Sequence, residues 1–112
     1  MAFLPEKTNI EENLITAYDL STGVSAFTSS DISKFTSLSL QFTAVDAGGS
    51  NSFVVEQSID NTNWATLLEN SSLPVGDSNF FIDKSFFSGK YVRIRLITTE
   101  SGTLDCLLLA KR

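Results

Sequence analysis

The 112 residues, 42% apolar and 19% charged, suit one globular domain that buries roughly two-thirds of its unfolded surface without staples. Eight Lys and Arg against 13 Asp and Glu leave a net charge of −5, which argues against a surface that tracks nucleic-acid phosphates. Cys106 is the only cysteine, so no internal disulfide forms, and the lack of histidine removes the commonest general base and metal ligand at neutral pH.

Residues 1–13 read as an arm, with an apolar tip at Phe3 and Leu4, then Pro5 and the acidic pair Glu11–Glu12. This start has no basic region or apolar run of signal-peptide length, and no stretch nears the roughly 20 apolar residues of a membrane span. A soluble product made in a cytoplasm is expected. Residues 14–112 are expected to form a single β-sandwich domain. Strands are predicted near 14–20 and 24–28, and "DISKF" (31–35) suits one short turn of helix. Leu38, Leu40, Phe42 and Ala44 then alternate with Ser37, Ser39, Gln41 and Thr43, the period of a half-buried antiparallel strand.

The polar loop "DAGGSN" (46–51) precedes a strand at 53–59, and "SIDNTNW" (58–64) turns the chain toward another at 65–69. A longer loop, "SSLPVGDSN" (71–79), leads to a strand at 79–84. Val92, Ile94 and Leu96 next alternate with Tyr91, Arg93 and Arg95, and "ESG" (100–102) offers a tight turn before a last strand at 103–111. About eight short strands with such punctuation predict an all-β fold, an antiparallel sandwich of jelly-roll or discoidin-like connectivity.

If the last two strands form a hairpin, directly opposed residues share a face, so loop length must match the apolar combs. An odd loop aligns Val92, Ile94 and Leu96 with the Leu104, Cys106 and Leu108 comb, whereas a shifted register pairs Arg95 with Asp105. Either way Tyr91, Arg93 and Arg95 would share an outer face with Leu107 and Leu109. Tyr and Arg beside exposed Leu is the composition of a protein interface. Contact with another subunit is one reading of that strip. The other has the arm cover it with Phe3 and Leu4.

Catalytic signatures are absent. Ser-His and Cys-His nucleophiles need a histidine the chain lacks, neither a phosphate-cradling nor a dinucleotide glycine motif occurs, and no carboxylate sits in an apolar setting that would raise its pKa. The chain reads as a non-enzyme with no cofactor. For calcium, Asp60, Asn61 and Asn63, or Asp77, Ser78 and Asn79, supply oxygens but too few carboxylates and no EF-hand spacing. The favoured reading of Asp60 and Asn61 is a turn, Asn61 taking the left-handed conformation. Trp64, the only tryptophan, follows that turn and reads as a structural core anchor. The rival class is a carbohydrate-binding module, with Trp64 or Tyr18 as stacking platform and loops 46–51 and 71–79 as walls. A hydrolase would need a carboxylate pair.

"SIDNTNW" followed by "KYVRIRLIT" is similar to the S-x-D-(G/N)-x-x-W … Y-V-R-I pattern of discoidin-like β-sandwich modules. With "SLSLQFTA", "ESGTLD" and the ending "LLLAKR", residues 36–112 resemble small β-sandwich structural proteins of tailed-bacteriophage virions. The first 35 residues are unmatched, and Asn61 stands where the turn glycine would be. The resemblance implies a non-enzymatic virion protein assembled in the host cytoplasm, foremost an auxiliary or decoration capsid protein. A head-fibre or tail anchoring module is the alternative. Its partners would be other virion proteins, major capsid or fibre and tail components, in a homo-oligomer or multi-copy assembly, with neither nucleic acid nor membrane and a glycan as the lesser prospect.

Overall fold

The computed structural model describes residues 9–85 and 87–112, so Phe3, Leu4 and the rest of residues 1–8 lie outside the described residues. Among the described residues eight strands run β1 (Asn9–Asp19), β2 (Ala26–Thr28), β3 (Ser37–Ala47), β4 (Ser52–Ser58), β5 (Ala65–Ser72), β6 (Gly76–Lys84), β7 (Tyr91–Thr98) and β8 (Thr103–Lys111). They form two antiparallel four-stranded sheets, ordered β1-β8-β3-β6 and β2-β7-β4-β5. No α-helix occurs among the described residues; Leu20–Thr22 makes a single 3-10 turn.

The pairing is nested. β4 pairs with β5, β3 with β6, β2 with β7 and β1 with β8. The chain thus behaves as one long hairpin, folded at residues 58–64 and rolled into two sheets, which is a jelly roll. Of the two connectivities expected, the jelly-roll arrangement is the one present. Among the described residues β4 and β5 are the only consecutive strands that pair with each other.

Alternation drives this roll. β3 and β8 bury every second residue, so Leu40, Phe42 and Ala44 line up beside Leu108, Cys106 and Leu104 in register. Facing them, Phe53, Val55, Val92, Ile94 and Leu96 supply the inner face of the second sheet. Phe42 bridges the layers, 4.9 Å from the Phe53 ring and stacked on Phe80 at 5.0 Å. At roughly 1.5–3 kcal/mol per buried large apolar side chain, this comb is the main driving force for closing the sandwich.

Three expectations are corrected here. The strip at 1–13 is not wholly an arm, because β1 begins at Asn9 and pairs with β8 down to Asn9 opposite Lys111. Its alternation was masked by Glu12, which takes a partly buried position and accepts hydrogen bonds from the Ser30 backbone N–H at 3.1 and 3.2 Å. "DISKF" is a turn rather than helix, closed by Phe35 N–H donating to the Ile32 carbonyl at 3.1 Å. The larger correction concerns β7 and β8, which lie in different sheets. "ESG" therefore crosses between layers. The two apolar combs face each other across the core and do not lie side by side in one sheet.

The crossings are fastened at one end by Asn51, only 2% exposed. Its side-chain amide donates to the carbonyls of Gly48 (3.3 Å) and Ser101 (3.1 Å), and its Oδ1 accepts from the Glu100 N–H at 2.7 Å. Its own carbonyl accepts from Leu73 N–H at 2.8 Å. Gly102, at φ 114°, lies so close to Ala47 that an added Cβ would come within 2.7 Å of the Ala47 Cα. "SSLPVGDSN" shortens to Leu73–Val75, because β5 and β6 extend into it from both sides.

Candidate functional site

The β4–β5 turn is built by one carboxylate. Asp60 Oδ1 accepts from Ser58 Oγ (2.9 Å) and from the N–H groups of Thr62 (2.9 Å) and Asn63 (2.8 Å), while Oδ2 accepts from Asn63 Nδ2 at 2.7 Å. Ser58 Oγ in turn accepts from Asn61 N–H at 2.9 Å, and Asn61 adopts φ 61°. The backbone donors of Asn63 and Thr62 hold the Asp60 carboxyl well below the ordinary carboxylate range. Both oxygens are spent on the turn. A hollow of about 340 Å³ beside it is lined by Gln57, Asp60, Asn63, Ser88 and Gly89 among others. Among the described residues no group of three or more His, Cys, Asp or Glu is placed to hold a metal.

Beyond this turn the outer face of the β2-β7-β4-β5 sheet carries a charged cluster. The alternation that buries Val92, Ile94 and Leu96 turns Tyr91, Arg93 and Arg95 outward. Glu56 stands directly opposite Arg93 and Val54 opposite Arg95. Arg93 donates to Glu56 Oε1 from Nε (3.0 Å) and Nη2 (2.8 Å), and Arg95 reaches Oε1 from Nε at 3.1 Å and Oε2 from Nη2 at 3.4 Å. Burial pushes the Glu56 carboxyl up, but the Arg95 and Arg93 guanidinium groups outweigh it and hold the pKa below its ordinary value. One carboxylate between two guanidinium groups leaves a positive centre in an acidic chain. The Arg93 guanidinium lies 4.2 Å from the centre of the Trp64 ring, a cation–π contact.

Trp64 is therefore not the core anchor. It is half-buried on the outer face, outside the apolar core, with the Arg93 side chain over it. The reason lies in position, because Trp64 is two residues before Thr66, which pairs with the outward-facing Glu56. Tyr18 is not a platform either. Its ring packs edge-on to Phe27 at 5.1 Å and its hydroxyl donates to the Gly23 carbonyl. The loops proposed as walls around Trp64 lie at the other end of β4, about 20 Å away along a seven-residue strand.

Leu107 and Leu109 are on the opposite side of the molecule, on the outer face of the β1-β8-β3-β6 sheet. Leu107 sits between Asn13 and Gln41, and Leu109 between Glu11 and Ser39. Phe81, 63% exposed and paired with Gln41, joins them around a shallow hollow of about 210 Å³. Asp83 borders it, accepting from Ser39 Oγ at 2.6 Å, and Asp105 accepts from Ala17 N–H at 2.8 Å. The single strip expected from Tyr91, Arg93, Arg95, Leu107 and Leu109 is thus two faces. Phe81 and Glu56 escaped the sequence reading. The alternation of "NFFIDK" marks Phe81 as outward, and the pairing of Glu56 with both Arg93 and Arg95 needs the register.

No family model matches the chain, and no curated protein matches it. The fold is similar to a solved structure described as "Bacillus endospore appendages form a novel family of disulfide-linked pili", at a TM-score of 0.55 and 12% identity, covering 99% of this chain and 94% of that one.

Proposed function

We propose that this chain is a non-enzymatic structural subunit of a multi-copy assembly, and that the assembly is a bacteriophage virion, where it acts as an auxiliary or decoration protein. The observation that carries the reading is the composition of the two outer sheet faces. The stacked Arg and Trp on one and the exposed Phe81 on the other are side-chain types enriched where proteins meet, and Leu107 and Leu109 beside Phe81 add apolar area that water would otherwise wet. The carboxylates that titrate away from their ordinary values, Asp19, Asp31, Glu56 and Asp60, all shift downward, opposite to the raised pKa a general acid needs. The virion setting rests on the sequence pattern of residues 36–112.

The likeness to the Bacillus appendages agrees with a jelly roll used as a building block. A disulfide link, named for those pili, is closed to this chain through Cys106. That thiol is 1% exposed, and burial pushes it up to about 12. Assembly would be non-covalent. Sedimentation of intact particles, with the copy number measured against the main shell protein, tests the proposal. Hundreds of copies are expected for a decoration protein, a dozen or fewer would move the assignment to a fibre or tail anchor, and absence from particles would overturn the virion setting.

A further inference from the structure

We propose that copies of this chain bind face to back, the β2-β7-β4-β5 face of one copy on the β1-β8-β3-β6 face of the next; this rests on the multi-copy structural role proposed above. The two faces differ in chemistry in a complementary way. The first presents the positive centre of Arg93 and Arg95. Arg95 spends Nε and Nη2 on Glu56 while its side chain stays 46% exposed, so donors remain for an incoming carboxylate. The second surrounds the apolar patch of Phe81, Leu107 and Leu109 with Glu11, Asp83 and Asp105, while Lys84 and Lys111 gather at one end, beside Asp83.

Like-with-like pairing is disfavoured on both sides. Two acidic faces brought together would set carboxylates against carboxylates, and two basic faces would oppose their guanidinium groups. Unlike pairing puts Arg95 among acids and covers the apolar patch with the Trp64–Arg93 stack. Size permits it. The Cα envelope measures 55 × 30 × 21 Å, and a broad face of such a slab can supply the roughly 800 Å² per partner of a standard interface. A contact between unlike faces is heterologous and leaves a free face at each end, so it builds rows or rings and not closed dimers.

Two variants separate the possibilities. Arg95→Glu spoils only the first face and Phe81→Lys only the second, and Phe81 is exposed enough for the fold to survive. Sedimentation velocity over a concentration series should show the parent associating, and each variant doing so at least about tenfold more weakly, a loss of about 1.4 kcal/mol. Their equimolar mixture should associate again, because each variant retains the face the other lacks. Raised salt should weaken the parent's contact. Thermal melts confirm folding, and Arg95→Ala replaces Arg95→Glu if the latter melts early. Variants that associate like the parent, or a mixture that stays dissociated, would overturn the face-to-back contact while leaving the structural role intact. A parent that stays monomeric at every concentration would overturn it too, and the particle sedimentation would then decide the structural role separately.

Discussion

Trp64 shows how a single side chain can be read correctly for type and wrongly for place. A large aromatic after a tight turn suggested a core plug, yet its strand parity turns it outward onto Arg93. Replacing it by Ala should therefore cost about 1–2 kcal/mol, the scale of a cation–π contact with some lost burial. A core tryptophan would cost roughly 3–5 kcal/mol. Equilibrium urea unfolding distinguishes the two. Asn51 is the converse case. Within "DAGGSN" it looked like loop filler, but it is buried and ties three chain crossings together. Asn51→Ala should leave the N–H of Glu100 without its partner, while the Ser101 carbonyl keeps the Gly48 N–H, costing about 1–3 kcal/mol. A melting temperature within a few degrees of the parent would show that water replaces the amide. No local pattern could have announced Asn51, since its partners are 3, 49 and 50 residues away.

At the level of elements, alternation and turn residues placed the strands, with β1 starting five residues earlier than expected, and period-2 alternation assigned the inner faces of β3, β7 and β8. Alternation is silent about which sheet a strand joins, because the same comb fits a neighbour beside it or a layer opposite it. The β7–β8 pairing failed for that reason, and the interface strip with it. The β4–β5 turn was legible because its signals are local: Asp60, Asn61 and Asn63 act within five residues of Ser58. Gly102 closes the "ESG" turn at positive φ, but its closer constraint is the neighbouring strand. An alanine there would be strained at φ 114° and would press its Cβ against the Ala47 backbone. Gly102→Ala should destabilise by roughly 2 kcal/mol or more, read from the urea midpoint. Gly49→Ala, which meets nothing within 4 Å, should be close to neutral.

For the whole molecule, nested pairing makes the β4–β5 turn the point from which the roll is wound, and that turn is pinned by an ionised carboxylate. Asp60, Asp19, Asp31 and Glu56 all have folded-state pKa values below their unfolded ones. In such a case the unfolded chain binds more protons as pH falls, so stability is fully present above the unfolded values and is lost on acidification toward the folded ones. With unfolded carboxylates near 4, the melting temperature should be flat from about pH 8 to 5 and fall steeply below about pH 4. The acidic net charge does not produce this slope, since protonating carboxylates first reduces the charge of −5 and with it the self-repulsion. Asp60→Asn tests the assignment. The amide retains an acceptor for the turn but does not ionise, so the variant should be less stable than the parent at pH 7. Its melting temperature should approach the parent's only in strong acid, as the pH falls below the ordinary carboxylate range toward the lowered pKa of Asp60. Parallel melting curves for the two proteins across the whole range would place the acid sensitivity in the other carboxylates, the Arg93–Glu56–Arg95 cluster first among them.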